Sequence, residues 1–403
     1  MFFEIITAVI CGVCAGIITG LIPGIHINLV SLILLSLSGY FLGFTSPIVL
    51  ACFIIAMSIT HTFLDSIPSI FLGAPDADTA LAVLPGHQLL LEGRGYEAVK
   101  LTVIGSLCCL ILVIAIIPFL IPVVPAIYKY IEPFMAYILI AVSVYMVSKE
   151  GNWLQRFWGL FVFLSSGILG LIVLTLPNVK QPLFPMLSGL FGISTLLYSL
   201  SQKVTIPNQK ITEDIKIPRK NTIKALSAAT FSGSLTGIFP GLGAAQAAIL
   251  SMNIVGNIGN YAFLILIGGI NTVNFAFSLV TLYTLQKARN GAVVAVMEIV
   301  KSIDINGLIT FLAVALIAGG LATFLVLLFT RIFSRIITKV NYRMLCFVII
   351  SFITVLTFYF SSWIGLLILI VSTAIGLIAP ITGVKRSNAM GSLLLPVILF
   401  FLL

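Results

Sequence analysis

Apolar residues run in blocks roughly 20 positions long from one end of the chain to the other, about the length a helix needs to cross a bilayer. Seven such blocks fall near 2–22, 27–45, 47–73, 101–124, 125–148, 157–177 and 182–201. One sizeable polar stretch follows, SQKVTIPNQKITEDIKIPRKNTIK at 201–224, and seven more blocks lie near 226–239, 242–255, 261–285, 306–330, 344–361, 363–382 and 389–403. The runs are continuous and hold Gly, Pro and Ser, whereas barrel strands would alternate with period two in segments of about ten residues. The pattern therefore predicts an all-α polytopic membrane protein. Several blocks of the second half are short enough to be re-entrant rather than spanning. The organisation expected is a membrane repeat over 1–202, a cytoplasmic linker over 203–223 and a second membrane repeat over 224–403.

A short motif ties the two halves together. Residues 16–24 read GIITGLIPG and residues 233–241 read GSLTGIFPG, both fitting GxxTGxxPG, with Pro23 answering Pro240 at an offset of 240 − 23 = 217. A duplicated motif at one fixed offset predicts an internal repeat. Because seven segments, an odd number, separate the copies, the second enters the membrane from the opposite side, and the predicted repeat is inverted in topology.

Composition agrees with a membrane class: 60% of residues are hydrophobic and only 8% charged, which excludes a soluble domain. The first block is read as a span, since no small-residue cleavage site and polar mature domain follow it. The net charge of +9 comes from residues in short loops, so it is an orientation signal and not a nucleic-acid footprint. With loops after odd-numbered segments assigned to the cytoplasm, that side collects 16 of the 21 Lys and Arg residues, which predicts a cell-membrane protein with both termini outside. Arg331, Arg335, Lys339 and Arg343 recur every four residues and predict one face of an interfacial helix resting on anionic lipid. The six cysteines all lie in predicted spans and read as small packing residues, Cys11 and Cys14 included.

The Pro-Gly pairs carry the candidate chemistry. Pro removes a backbone donor and Gly relaxes φ, so each helix should stop and restart, and such backbone survives at membrane depth only where it lines a cavity or is buried in protein. Interrupted helices at corresponding positions of inverted halves mark a transporter's binding site. The helix N-termini restarting after Gly24 and Gly241 would turn positive dipole ends toward an anion. Candidate substrate contacts are Thr19, Gly20, Pro23, Gly24, His26 and Asn28 in the first copy and Thr236, Gly237, Pro240, Gly241 and Gln246 in the second. His26 reads equally as a satisfied buried imidazole. In THTFLDSIPS, His61 and Asp65 are spaced i,i+4 and share a helix face, and an acid within an apolar run is a functional candidate. They suit a proton relay or a cation ligand, with Pro68 expected to break the segment. The comparable stretch INTVNFAFS offers Asn271, Thr272 and Asn274, which suit a Na⁺ or carboxylate site or interhelical hydrogen bonds. The loop GAPDADTALAVLPGHQLLLEGRGYEAVK at 73–100 reads as a helical hairpin dipping into the membrane, with Asp76 and Asp78 as helix caps in preference to cation ligands.

Taken together, GLIPG, GAPDADTALAVLPGHQLLLEGRG, PLFPMLSGLFG at 182–192 and GVKRSNAMGSLLLPVILFFL at 383–402 resemble the large membrane subunit of the tripartite tricarboxylate transporters, as a divergent branch. The resemblance implies a secondary transporter of an organic polycarboxylate, coupled to Na⁺ or H⁺, working with a small membrane subunit and an extracytoplasmic binding protein. No other cofactor or metal is expected, and homo-oligomer formation stays open. A polyprenyl-phosphate translocase is the alternative, since a lipid phosphate suits the same helix ends. A membrane aspartyl protease needs paired carboxylates, and only Asp65 lies well within a span.

Overall fold

A computed structural model describes residues 2–22, 27–72, 83–177, 182–201, 207–211, 215, 217–238, 243–288, 290–337 and 342–403, and every element among them is helical. In the first half these are α1 (Phe2–Leu21), α2 (Ile27–Ser36), α3 (Ser38–Phe41), α4 (Pro47–Leu64), α5 (Ser66–Phe71), α6 (Val83–Leu91), α7 (Gly95–Leu120), α8 (Val124–Ile131), α9 (Met135–Ser148) and α10 (Trp153–Thr175). A helix with a π turn at its centre follows, α11 (Leu183–Leu187) running through Ser188–Ile193 into α12 (Ser194–Ser201). The second half holds α13 (Arg219–Ile238), α14 (Ala244–Val255), α15 (Gly259–Leu285), α16 (Gly291–Val300), α17 (Ile305–Ile337), α18 (Tyr342–Thr382) and α19 (Gly391–Leu402).

Among the described residues, seven helices are long and apolar enough to cross a membrane. Burial sorts them. The span of α4 with α5 and that of α15 are 83% and 89% buried, whereas the other five are between 33% and 44% buried. The two central helices therefore see protein on nearly every side, and the rest present a lipid-facing stripe of Ile, Leu and Phe such as Ile309, Phe324 and Leu328 on α17. Only in the central helices would a buried polar group be shielded all round.

The apolar blocks locate these helices, and their differences from the expected segments have local causes. The block at 125–148 is α8 and α9, bent by 70° around a single turn at Glu132–Phe134 whose middle residue is proline. The blocks at 344–361 and 363–382 are the two limbs of α18, which meet at Ser362 with φ 53°. Pro68 does not end its segment: α4 and α5 meet at Asp65 with helical φ and ψ, the Asp65 N–H donates to the His61 carbonyl and the Ser69 N–H to the Asp65 carbonyl, and α5 carries on to Phe71. The basic repeat is not one interfacial helix either. Arg331 and Arg335 belong to the end of α17, which is the continuation of a span, and Arg343 opens α18, while Lys339 lies outside the described residues. Arg331 stacks 6.0 Å from the Tyr96 ring centre. α16 lies in a stretch the pattern passed over, and Asn290 caps it by accepting from the Ala292 N–H at 2.9 Å.

Part of the polar linker is held down. The Gln209 side chain accepts from the Gly95 N–H and donates to the Leu90 carbonyl, both at 2.9 Å, and the Lys210 N–H donates to the Gly93 carbonyl at 2.8 Å. Residues 207–211 thus dock on the turn between α6 and α7.

Candidate functional site

α1 packs along α4, and α13 packs along α15. The glycines of the duplicated motif set both crossings. A methyl group added at Gly16 would meet the Met57 carbonyl oxygen and Thr60 Cβ, each at 2.6 Å; one added at Gly233 would meet Val273 Cβ at 2.7 Å and the Ile270 carbonyl oxygen at 3.0 Å. A methyl group added at Gly20 would meet Leu64 Cβ at 2.9 Å, and one added at Gly237 would meet Phe277 Cβ at 2.7 Å. The partners correspond throughout: 57 + 213 = 270, 60 + 213 = 273 and 64 + 213 = 277, against 217 along the motif helices. Thr19 donates to the Gly16 carbonyl at 3.3 Å and Thr236 to the Gly233 carbonyl at 2.7 Å, so the hydroxyls repeat as well. The helix ends follow the same rule. α1 stops two residues before Pro23 and α13 two before Pro240; α2 starts three residues after Gly24 and α14 three after Gly241.

The register pairs His61 with Asn274 and Asp65 with Ser278, since 61 + 213 = 274 and 65 + 213 = 278. His61 is 2% exposed and its Nδ1 lies 3.2 Å from Thr19 Oγ1. Because the Thr19 hydroxyl proton is directed at Gly16, its oxygen accepts, which puts the proton of a neutral His61 ring on Nδ1. Asp65 is 5% exposed; its carbonyl accepts from the Ser69 hydroxyl at 2.7 Å, and its N–H donates to the His61 carbonyl at 2.9 Å. Asn271, Thr272 and Asn274 are all buried within α15, with Thr272 donating to the Gly268 carbonyl at 3.2 Å. Ser278 donates to the Asn274 carbonyl at 2.8 Å, and Thr281 reaches the Gly237 carbonyl at 3.2 Å. The structure thus brings Thr19 to His61 and Gly237 to the α15 face below Asn274. Pro23, Gly24, His26, Pro240, Gly241, Asp76 and Asp78 lie outside the described residues, as do the side chains of Asn28 and Gln246.

A second polar feature escaped the sequence. A cavity of about 910 Å³ opens between α6, α9, α12, the C-terminal half of α14, the start of α15 and the turn before α19. Among the described residues its lining carries three cations, Lys149, Lys385 and Arg386, and no acid. Arg386 donates to the Thr195 hydroxyl and lies 5.7 Å from the Tyr198 ring centre. Burial lowers its pKa from the ordinary guanidinium value, and Tyr198 opposes this. Buried Glu150 holds the turn by accepting from the Lys385 N–H at 3.2 Å and the Asn388 amide at 2.8 Å, which fixes where both neighbouring cations emerge. His87 donates from Nδ1 to the Ile70 carbonyl at 3.1 Å. Burial lowers its pKa below 6.5, the Ile70 bond opposes this, and the nearby Arg386 charge lowers it further, so the ring is neutral at pH 7. Lys149, Lys385 and Arg386 read in the sequence only as orientation charges. The signal that marked them was the pair of adjacent cations in GVKRSN, set directly before an apolar run.

Comparison with known proteins agrees with this architecture. The family model described as "Tripartite tricarboxylate transporter TctA family" matches residues 6–391. The chain is 32% identical over 414 aligned residues to "Uncharacterized protein MJ1079" of Methanocaldococcus jannaschii, covering 99% of this chain and 98% of that protein. No solved structure matches. With nearly the whole chain matched and the helices arranged as multiple membrane spans, the protein belongs to the TctA family of tripartite tricarboxylate transporters.

Proposed function

We propose that the chain is the carrier of a small organic anion of the di- or tricarboxylate class, moved by alternating access and driven by Na⁺ or H⁺. The two Pro-Gly breaks form the substrate cradle in an inverted pair of repeats. The observation that carries this reading is the repetition, in both halves, of the same helix stop, helix restart and glycine packing register around each break. α2 and α14, of 10 and 12 residues, each begin just after a break and direct N-terminal N–H groups and a partial positive charge of about half a unit toward it. A carboxylate fits such an end.

Coupling belongs to the first half. His61 and Asp65 stand where the second half has neutral Asn274 and Ser278, so a cation or proton is felt on one side of the pseudo-symmetric pair only. His61 touches Thr19, five positions from Gly24, so the ring is tied to the helix that ends at the break. The family's name supports a small membrane subunit and an extracytoplasmic binding protein as partners.

Uptake of labelled citrate and succinate into proteoliposomes under an imposed Na⁺ or H⁺ gradient tests the reading. Accumulation above the equilibrium level is expected, and Asp65→Asn should abolish accumulation while leaving equilibrium exchange. Scrambling of a labelled polyprenyl phosphate with no carboxylate uptake would sink it.

A further inference from the structure

We infer that the cavity between α6, α9, α14 and the turn before α19 is a second anion site, an exit station on the cytoplasmic face that receives the carboxylate after it leaves the breaks. The inference rests on the transport reading above and adds a place, a sidedness and three residues to it.

The charge distribution makes the cavity an anion site. Lys149, Lys385 and Arg386 approach from two separate parts of the fold, and buried Glu150 beside them accepts from the Lys385 N–H and the Asn388 amide. The C-terminal end of α14 faces the cavity with its negative dipole, about half a charge. Three full positive charges outweigh it. Amide and hydroxyl groups of Asn257, Asn260 and Ser387 complete the wall. A volume of about 910 Å³ lies in the ordinary range of small-molecule sites, roughly 300–1,000 Å³, and leaves room for a partly hydrated ligand. Cations on separate elements suit a ligand with two or three separated carboxylates better than a single compact charge.

Position makes it a station on a route. α14 begins three residues after Gly241, and its residues from Ala248 to Met252 line the cavity. At about 1.5 Å per residue the N-terminal end of α14 and the cavity lie roughly 6–12 Å apart along one helix, a short hop for an anion. All three cations belong to the set that the positive-inside bias assigns to the cytoplasm.

Ser387 lines the cavity and reports on it. In inside-out membrane vesicles, Ser387→Cys should react with a membrane-impermeant maleimide above the wild-type background, and citrate or succinate should slow the reaction. Arg386→Gln or Lys149→Gln in that background should weaken protection about tenfold or more, the loss of one charge-assisted hydrogen bond. Lys149 is exposed, its ammonium lies over the Tyr145 ring of its own helix and its backbone carbonyl accepts from Lys385, so its variant reports even if Arg386→Gln fails to fold. Citrate uptake by wild-type proteoliposomes with no protection of the cysteine overturns the station and leaves the transport reading standing. Absence of both uptake and protection removes both. Protection from right-side-out vesicles, or by phosphatidylglycerol but by no carboxylate, overturns the assignment in favour of the other face or of a lipid headgroup.

Discussion

His87 holds its neutral form by burial, and that has a consequence for stability with a definite sign. Its folded pKa lies below 6.5, so as pH falls through 6.5 the unfolded chain takes up a proton before the folded one does. Stability contributed by the neutral ring is complete above 6.5 and is lost as pH falls toward the folded pKa. Thermal unfolding in detergent between pH 7.5 and 5.5 should show a drop in Tm for the wild type. His87→Gln keeps an N–H for the Ile70 carbonyl but cannot charge, so its drop should be smaller. An equal drop in both proteins would mean that other groups, such as the remaining two histidines, carry the acid sensitivity. The same residue shows how far a sequence can be read. His87 lies within the stretch at 73–100 that reads as a dipping hairpin, but its partners Ile70 and Arg386 lie 17 and 299 positions away, and neither distance follows from spacing along one helix.

At the level of elements, the crossings depend on glycines whose missing Cβ lets backbones touch. A methyl group at Gly105 of α7 would run into the Ile265 backbone of α15, and one at Gly16 into Met57 and Thr60 of α4. Such overpacking typically costs about 1–3 kcal/mol. Gly320 on α17 has open space around it, and alanine there gains helix propensity of up to about 1 kcal/mol. Thermal melts should therefore place Gly105→Ala and Gly16→Ala below wild type and Gly320→Ala at or above it; a loss at Gly320 equal to that at Gly16 would remove close approach as the cause. Sequence pattern found the elements because lipid imposes helix length and apolarity on each span. It also found the repeated motif, because GxxTGxxPG is local. It could not find the register of 213 on the partner helices: α4 and α15 share almost no residue types at matching positions, since Thr60 faces Gly16 where Val273 faces Gly233. Backbone shape repeats there while side-chain identity drifts. The sequence also overextended in one place, joining Arg331 to Arg343 on one helix because four-residue spacing carries no information about where a span ends.

For the whole molecule, the distribution of cations and the docking of the linker make one connected prediction about sidedness. With loops after odd-numbered apolar blocks assigned to the cytoplasm, 16 of the 21 Lys and Arg residues are expected on the side that also carries the linker and the cationic cavity. Gln209 and Lys210 pin residues 207–211 to the turn between α6 and α7, so the connection between the halves lies against the first half. Trypsin has Lys203, Lys210, Lys216, Arg219 and Lys220 to cut at in this stretch. Added to inside-out vesicles, it should divide the chain into two membrane fragments at the linker, and it should leave the linker intact in sealed right-side-out vesicles. Gln209→Ala removes two hydrogen bonds that span more than 110 residues of chain, so cleavage at Lys210 should speed up while the two fragments stay the same. Cutting from the right-side-out face would invert the topology, which would place the cavity at the entrance to the carrier and turn the exit station into the mouth that meets an external partner.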